Sequence, residues 1–376
     1  MICETMKKNA LLICMLLVAI GLTDCKKKKS TQEEEEAEAA FDKGAMLSNY
    51  ADALILPNYQ SAKTSLDSLA AAYTVFVQTK TEADLQIVRQ KLNVFYIKFQ
   101  HISTSEFGPA ETELIRANFN TYPADTAQIN SNISSGVYNF DIAANIDAKG
   151  LPALDFLLYG SNRTDAQIVA LFASTPNRIT YVTNCLNEMQ TKLNAIVTSW
   201  TNGYRSTFVN SKGSQIGSSL GLLVNQLNFE VDLLKNGKVG IPLGKKSMGV
   251  IYPDKTEAYY AGNYSVKLAK ECLQNIENVY LGRSRAGNDG SGLDDYLDAL
   301  KIQHGSGTLN NAIKAQFGLA KAKLNLVQEP LASAIVNDPA TVDAAYVEMV
   351  KLLVLLKTDM PSALGIVITY QDGDGD

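Results

Sequence analysis

Lys149-Gly150-Leu151-Pro152-Ala153-Leu154-Asp155-Phe156-Leu157-Leu158-Tyr159-Gly160 is the stretch on which the reading of this chain turns. It opens at a glycine, enters an apolar helix at a proline and stops at a second glycine. Proline suits the first helical turn, where its missing N–H has no partner to lose. Leu151, Leu154 and Leu158 fall on one helical face, and Asp155 lies on or beside that face. A half-buried acid must find a donor, shift its pKa or border a cavity. The plainer alternative is an acid near a helix N-terminus, favoured by the macrodipole.

Around this stretch the helical spacing is sustained. Phe41, Met46, Leu47, Tyr50, Leu54 and Leu56 mark a first helix that Pro57 breaks or kinks. A second runs from about Tyr59 to Gln78. Thr81-Glu82-Ala83-Asp84 resembles a capping box, and the helix after it carries Leu85, Val88, Leu92, Phe95, Phe99 and Ile102 in one stripe. Val94, Tyr96 and Ile97 add apolar surface elsewhere, which predicts a helix through a bundle centre. Thr164-Asp165 caps a short helix, and Pro176 opens a long one. Leu220, Leu223, Leu227, Val231 and Leu234 give another stripe, and helices resume after the loop from Gly282 to Gly292. That loop lacks the G-x-x-x-x-G-K-[ST] pattern of a phosphate cradle. Only Gly365 to Tyr370 looks strand-like. The expected fold class is all-α, as two helical bundle domains.

The central stretch also carries a resemblance. Gly150-x-Pro152-x-x-Asp155 with Phe156-Leu157-Leu158-Tyr159-Gly160 resembles the signature of imelysin-like proteins, G-x-H-x-x-E with an F-L-L-(aromatic)-G tail. Pro152 stands at the family's histidine and Asp155 at its glutamate, a variant similar to envelope lipoproteins of Bacteroidetes type. Phe107-Gly108-Pro109, Phe119 to Asp125, Asn225 to Gly244, Tyr260 to Asn263 and Asn278 to Gly282 resemble further segments of the family. The resemblance implies a two-domain helical fold, with a ligand or partner site at the cleft between the domains. It implies a link to iron or haem acquisition, with an outer-membrane uptake receptor as a partner. The alternative it carries is a metallopeptidase, the class under which imelysin is catalogued.

The residues weigh between these. In the family the motif's histidine and glutamate share a helical face suited to a metal. Pro152 has no ligand atom, and Asp155 alone is a single hard-oxygen ligand. His101, Glu106 and Asp232 would complete a metal or ligand site only if the fold brings them near. No catalytic constellation is visible, and H-E-x-x-H is absent. Loss of the motif histidine favours a binding protein over a peptidase. His101 also suits its place near a helix C-terminus without any ligand.

Composition and termini set the context. The chain has 376 residues, 46% hydrophobic and 19% charged, with a net charge of −5 and two histidines. This is ordinary globular composition, and nothing in it points to nucleic acid. Lys7 and Lys8, then an apolar run from Ala10 to Leu22, form a signal peptide too short to span a bilayer. Leu22-Thr23-Asp24-Cys25 resembles a lipobox, with Cys25 as the lipid-bearing residue and a membrane anchor. The expected division is 1–24 signal peptide, 25–37 charged tether, 38–174 N-terminal helical domain with the motif, and 175–376 C-terminal bundle. Localisation is then the cell envelope, anchored to the outer membrane on its periplasmic or outer side. Cys185 and Cys272 remain in the folded part, as buried thiols or as a pair. The tail Asp372-Gly373-Asp374-Gly375-Asp376 is similar to the start of a calcium loop that stops short of its glutamate.

Overall fold

The computed structural model describes residues 41–370. The signal peptide, Cys25, the charged tether and the acidic tail lie outside the described residues. Lys43–Asn49 leads through a π-helical stretch, Tyr50–Ile55, into α1 (Leu56–Thr79). Pro57 therefore does not break the chain. The turn before it widens, so that the Leu56 N–H reaches back to the Ala51 carbonyl and the helix absorbs the proline.

After α1 come α2 (Glu82–Ile102), the short α3 (Ile115–Asn120), α4 (Gly150–Tyr159) and α5 (Pro176–Ser199). The remaining principal helices are α6 (Ser219–Asp232), α7 (Ser265–Tyr280), α8 (Leu309–Leu326) and α9 (Pro339–Val354). Among the described residues the strands are β1 (Gln303–His304) and β2 (Gly307–Thr308), a two-residue antiparallel hairpin. The protein is all-α.

α1 packs on α2 and α5, and α8 packs on α9. α2 touches α1 and α4 and also α7, so it is shared by the N-terminal half of the chain, through α5, and the C-terminal half, from α6 onward. Its Leu85, Val88, Leu92, Phe95 and Tyr96 are fully buried, whereas Val94 on its outer side is 45% exposed. α5 lies on α1 and α4, so a cut at residue 174 separates it from the helices it packs against.

The halves are also tied through polar groups. Asn49 donates to the carbonyls of Gly282 and Ser291 at 2.7 and 3.0 Å. The Tyr50 hydroxyl donates to the Val279 carbonyl and accepts from the Leu293 N–H. Residues 365–370 form no strand. The Asn225 side chain holds them instead, donating to the Val367 carbonyl at 3.0 Å and accepting from the Thr369 N–H at 2.7 Å. One side-chain amide supplies the donor and acceptor that a neighbouring strand would have offered.

Candidate functional site

The motif helix α4 starts where the chain presses against α3. Gly150 has φ +69°, and a Cβ there would come within 2.5 Å of the Phe119 carbonyl oxygen. Only glycine fits both the backbone and the space. Lys149 before it is 2% exposed and donates to the Phe140 carbonyl and to Glu188. Pro152 sits in the first turn, buried, where it contributes packing and no donor atom.

Asp155 is 1% exposed. Its two oxygens accept backbone N–H bonds from Tyr260 and Ala261, each at 2.9 Å. These donors belong to the loop that leads into α7, and Phe156 beside Asp155 lies against the Tyr260 ring at 5.1 Å. Burial pushes the Asp155 carboxyl up to about 7; the two N–H bonds restrain the shift, and nearby Glu257 adds to it. The recess bordered by Pro152, Asp155 and Tyr260 has a volume of about 20 Å³, room for about one water molecule. The motif carboxylate thus pins one half of the molecule to the other. A metal does not fit here: both oxygens are engaged, and the neighbouring motif position is a proline.

Next to this recess, sharing Tyr122 and Pro123 with it, opens a cleft of about 680 Å³. That volume lies within the range of small-molecule sites. Phe99, Leu233 and Ile241 supply apolar wall. The polar lining is built around Arg116, in the first turn of α3. Its guanidinium ion-pairs with Glu106, and its backbone N–H also donates to Glu106 at 3.0 Å. It reaches Glu230 at 3.2 Å and the Ser103 carbonyl at 2.7 Å. Its face stacks on the Phe229 ring at 4.7 Å. Glu230 further accepts from the Ser103 hydroxyl at 2.8 Å and the Cys272 thiol at 3.3 Å.

A second pair reaches the same space through its cation, Lys238. Lys238, 6% exposed, donates to Glu257 at 2.6 Å. Glu257, 1% exposed, also accepts from Gln100 at 2.9 Å and Asn120 at 2.6 Å. Burial by itself lowers the Lys238 ammonium, but the Glu257 carboxylate outweighs it and holds the group above its usual value. Burial raises the Glu106 carboxyl, and Arg116 opposes it.

A π-helical stretch, Leu233–Gly240, extends α6 and brings Leu233, Gly237 and Lys238 to the cleft. The Gly108 turn follows Glu106 closely: at φ +56°, a Cβ would meet the Tyr204 ring at 2.1 Å. Phe107 beside it stacks on Phe208 at 5.6 Å.

The residues singled out in the sequence are not brought to one point. Glu106 lines the cleft, and Asp155 lies in the adjoining recess. His101 is 4% exposed and lines neither the cleft nor the recess, with Nε2 at 3.1 Å from Glu271 and the Arg285 guanidinium beside the ring. Burial lowers its pKa, against the pull of Glu271. Asp232 bonds to Asn236 at 3.0 Å and to Lys235 at 3.2 Å. Among the described residues no three His, Cys, Asp or Glu side chains converge to hold a metal. Cys185 and Cys272 are both free and buried.

The cleft residues that sequence reasoning missed are Arg116, Asn120, Glu230 and Lys238, with Glu257 as the partner of Lys238. Glu230 left a readable trace. It lies three residues after Leu227 and four before Leu234, within the apolar stripe of α6.

The comparisons with known proteins follow this geometry. The family model described as Imelysin, Peptidase M75, matches residues 55–357. The chain belongs to the imelysin family. It is 21% identical over 298 residues, 76% of each chain, to a protein of Synechococcus elongatus named iron-regulated protein A. Its fold is similar to the crystal structure of a candidate iron-regulated protein A precursor from Parabacteroides distasonis. That match has a TM-score of 0.71 at 16% identity, covering 86% of this chain and 95% of the other. An imelysin-like protein from Psychrobacter arcticum matches with a TM-score of 0.67 at 20% identity, covering 87% and 97%. In this imelysin Asp155 acts as a clasp, through its bonds to the Tyr260 and Ala261 N–H groups.

Proposed function

We propose that this imelysin is a non-enzymatic, lipid-anchored envelope protein that binds a small ligand in the cleft between its halves, in the service of iron acquisition. The observation that carries the reading is the 680 Å³ cleft with its buried Glu106–Arg116–Glu230 and Lys238–Glu257 groups. Buried ion pairs are an expensive way to hold a wall together, and well-packed apolar residues often serve as well or better. Polar groups set in an apolar wall are the usual composition of a recognition site. The Synechococcus relative named iron-regulated protein A supports the link to iron. The apolar run ending in Leu22-Thr23-Asp24-Cys25 supports the anchor, and an outer-membrane receptor for iron or haem is the partner such a binder would serve.

Two measurements test this. Fractionation of cells making the protein should place it in the envelope, and Cys25→Ala should release it to the soluble fraction and abolish fatty-acid labelling. Haemin and ferric citrate titrated into the purified protein should show saturable binding that Ile241→Trp, which fills the cleft, removes. Binding unaffected by Ile241→Trp would place the ligand elsewhere and refute the cleft reading.

A further inference from the structure

Large apolar side chains that face water are scattered singly over this fold, as they are on most proteins. The turn after Gly244 is different. Met248 is 106% exposed, Val250 54% and Ile251 39%. Among the described residues no other run of four carries three such side chains.

The turn is firmly built. The N–H groups of Ser247 and Gly249 donate to the Gly244 carbonyl at 3.3 and 3.0 Å, and the Val250 N–H donates to the Ser247 carbonyl at 3.0 Å. The Ser247 hydroxyl donates to the Val250 carbonyl at 2.6 Å, and the Tyr252 N–H closes the base on the Pro242 carbonyl at 2.8 Å. Within this frame Met248 takes φ +53°, a left-handed conformation that a bulky residue keeps only where its surroundings impose it. The frame therefore holds a strained backbone and a large apolar side chain fully in water, and neither stabilises the fold by itself.

The flanks are of another kind. Tyr252 follows the tip, and the Lys255 ammonium lies over its ring at 4.1 Å. Lys245 and Lys246 precede the turn, Lys245 paired with Asp343 at 2.6 Å. Residues 245–255 hold three lysines against one acid, Asp254. An apolar tip backed by tyrosine and lysine matches the order of acyl chains and headgroups at a bilayer surface. A stable protein interface takes about 800 Å² from each partner, more than three side chains of one turn supply.

We propose that the turn 244–252 is a second contact with the bilayer, setting Met248, Val250 and Ile251 into the interface with anionic headgroups about the lysines. This rests on the lipid anchor proposed above. Fifteen residues, 26–40, lie between Cys25 and Phe41, and a chain of that length spans at most about 55 Å. A fold of this size is about 50 Å across, so the anchor keeps the turn within reach of the same bilayer. The turn leaves from Ile241 and returns to Lys255, both at the cleft lining. Docking it brings that rim of the cleft to the membrane surface.

The experiment puts a fluorescent reporter at the tip. The one natural tryptophan, Trp200, is fully buried and supplies a constant background. Full-length Met248→Trp protein is mixed with phosphatidylethanolamine–phosphatidylglycerol vesicles whose acyl chains carry bromine. Its emission should shift to the blue and be quenched about twofold or more. Val137→Trp, at another exposed position, should show neither change. Adding Val250→Ser and Ile251→Ser to Met248→Trp should weaken the quenching, and so should phosphatidylcholine vesicles. Melting curves establish that each variant is folded. If Met248→Trp does not fold, hydrogen exchange on the unmodified protein decides: amides of residues 244–252 should slow when vesicles are added. Protein held on the vesicles by its acyl chains while the tip reporter stays in water would refute the turn and leave the anchor. Tip quenching in protein that carries no acyl chain would sustain the turn and refute the anchor. Equal quenching of the tip and Val137→Trp reporters would overturn the proposal. So would a blue shift that grows with protein concentration in the absence of vesicles, which would give the turn to a second copy of the chain.

Discussion

Two groups of buried carboxylates lie side by side, and they are held in opposite ways. Asp155 is neutralised by no cation; two backbone N–H groups hold it, and its recess has room for about one water. Glu106, Glu230 and Glu257 are held by Arg116 and Lys238; Glu106, Glu230 and both cations border a cleft of about 680 Å³, and Glu257 stands behind Lys238. Backbone donors are fixed by the fold and leave a carboxylate nothing further to do. Side-chain cations can re-pair, and a wall built from them can accept a guest. Asp155 is a fastening, and the cleft we propose as the binding site opens beside it.

The largest effect that would sharpen this contrast is expected at Lys238. Lys238→Met leaves Glu257 buried with only neutral donors. It should destabilise the protein by about 3–5 kcal/mol, read as a lower urea midpoint at unchanged slope. Asp155→Ala removes the acceptor for two partly buried N–H groups. It should cost about 1–3 kcal/mol by the same measurement and leave haemin and ferric citrate binding in the cleft in place. A loss of cleft binding in a folded Asp155→Ala would break the contrast, because the fastening would then also belong to the site.

The pH response separates the two groups further. The Asp155 carboxyl sits at about 7 when folded, against an ordinary value of 3.8. Between those values the folded protein binds more protons than the unfolded chain, so this group's contribution to stability declines as pH rises. Below 3.8 both states are protonated and it contributes no penalty; above about 7 both are ionised and the penalty is full. Asp155→Asn should therefore flatten the dependence of the urea midpoint on pH across that window. A slope that is unchanged would mean the carboxyl is not perturbed. The smallest effect serves as the control. Lys63 and Asp67 form a half-exposed pair at 2.7 Å on α1, and Asp67→Asn should shift stability by less than about 1 kcal/mol.

Much of the fold was open to a reader of the sequence, because it rests on local periodicity. The stripe of Leu85, Val88, Leu92, Phe95 and Phe99 announced α2 and its buried course. Asp155 was placed on the apolar face by its spacing from Leu151 and Leu158, and it is buried there. Pro57 was read as a kink, since nothing local reports that a helix will widen to take in a proline. Residues 365–370 looked like a strand because β-branched residues cluster there, yet a distant side chain, Asn225, makes the bonds a neighbouring strand would have made. The cleft was hidden for the same reason. Arg116, Glu230 and Glu257 come from three separate segments, and no spacing along the chain relates them. His101 was attractive because histidine is rare here, but rarity says nothing about which way a side chain faces.

The π-helical stretch Leu233–Gly240 governs more than local shape. Its extra residue per turn is recorded in the bonds from Ile241 to Asn236 at 2.7 Å and from Lys245 to Gly240 at 2.8 Å, each spanning five residues. An α-helix advances about 100° per residue, so one residue more or less re-phases everything beyond it. The angular position of Lys238 relative to α6 is set by that insertion. Deleting a single residue there would turn the ammonium away from Glu257 without removing it from the chain. The charge pattern of the cleft is thus encoded partly as a residue count, a form of information that a list of side chains does not contain.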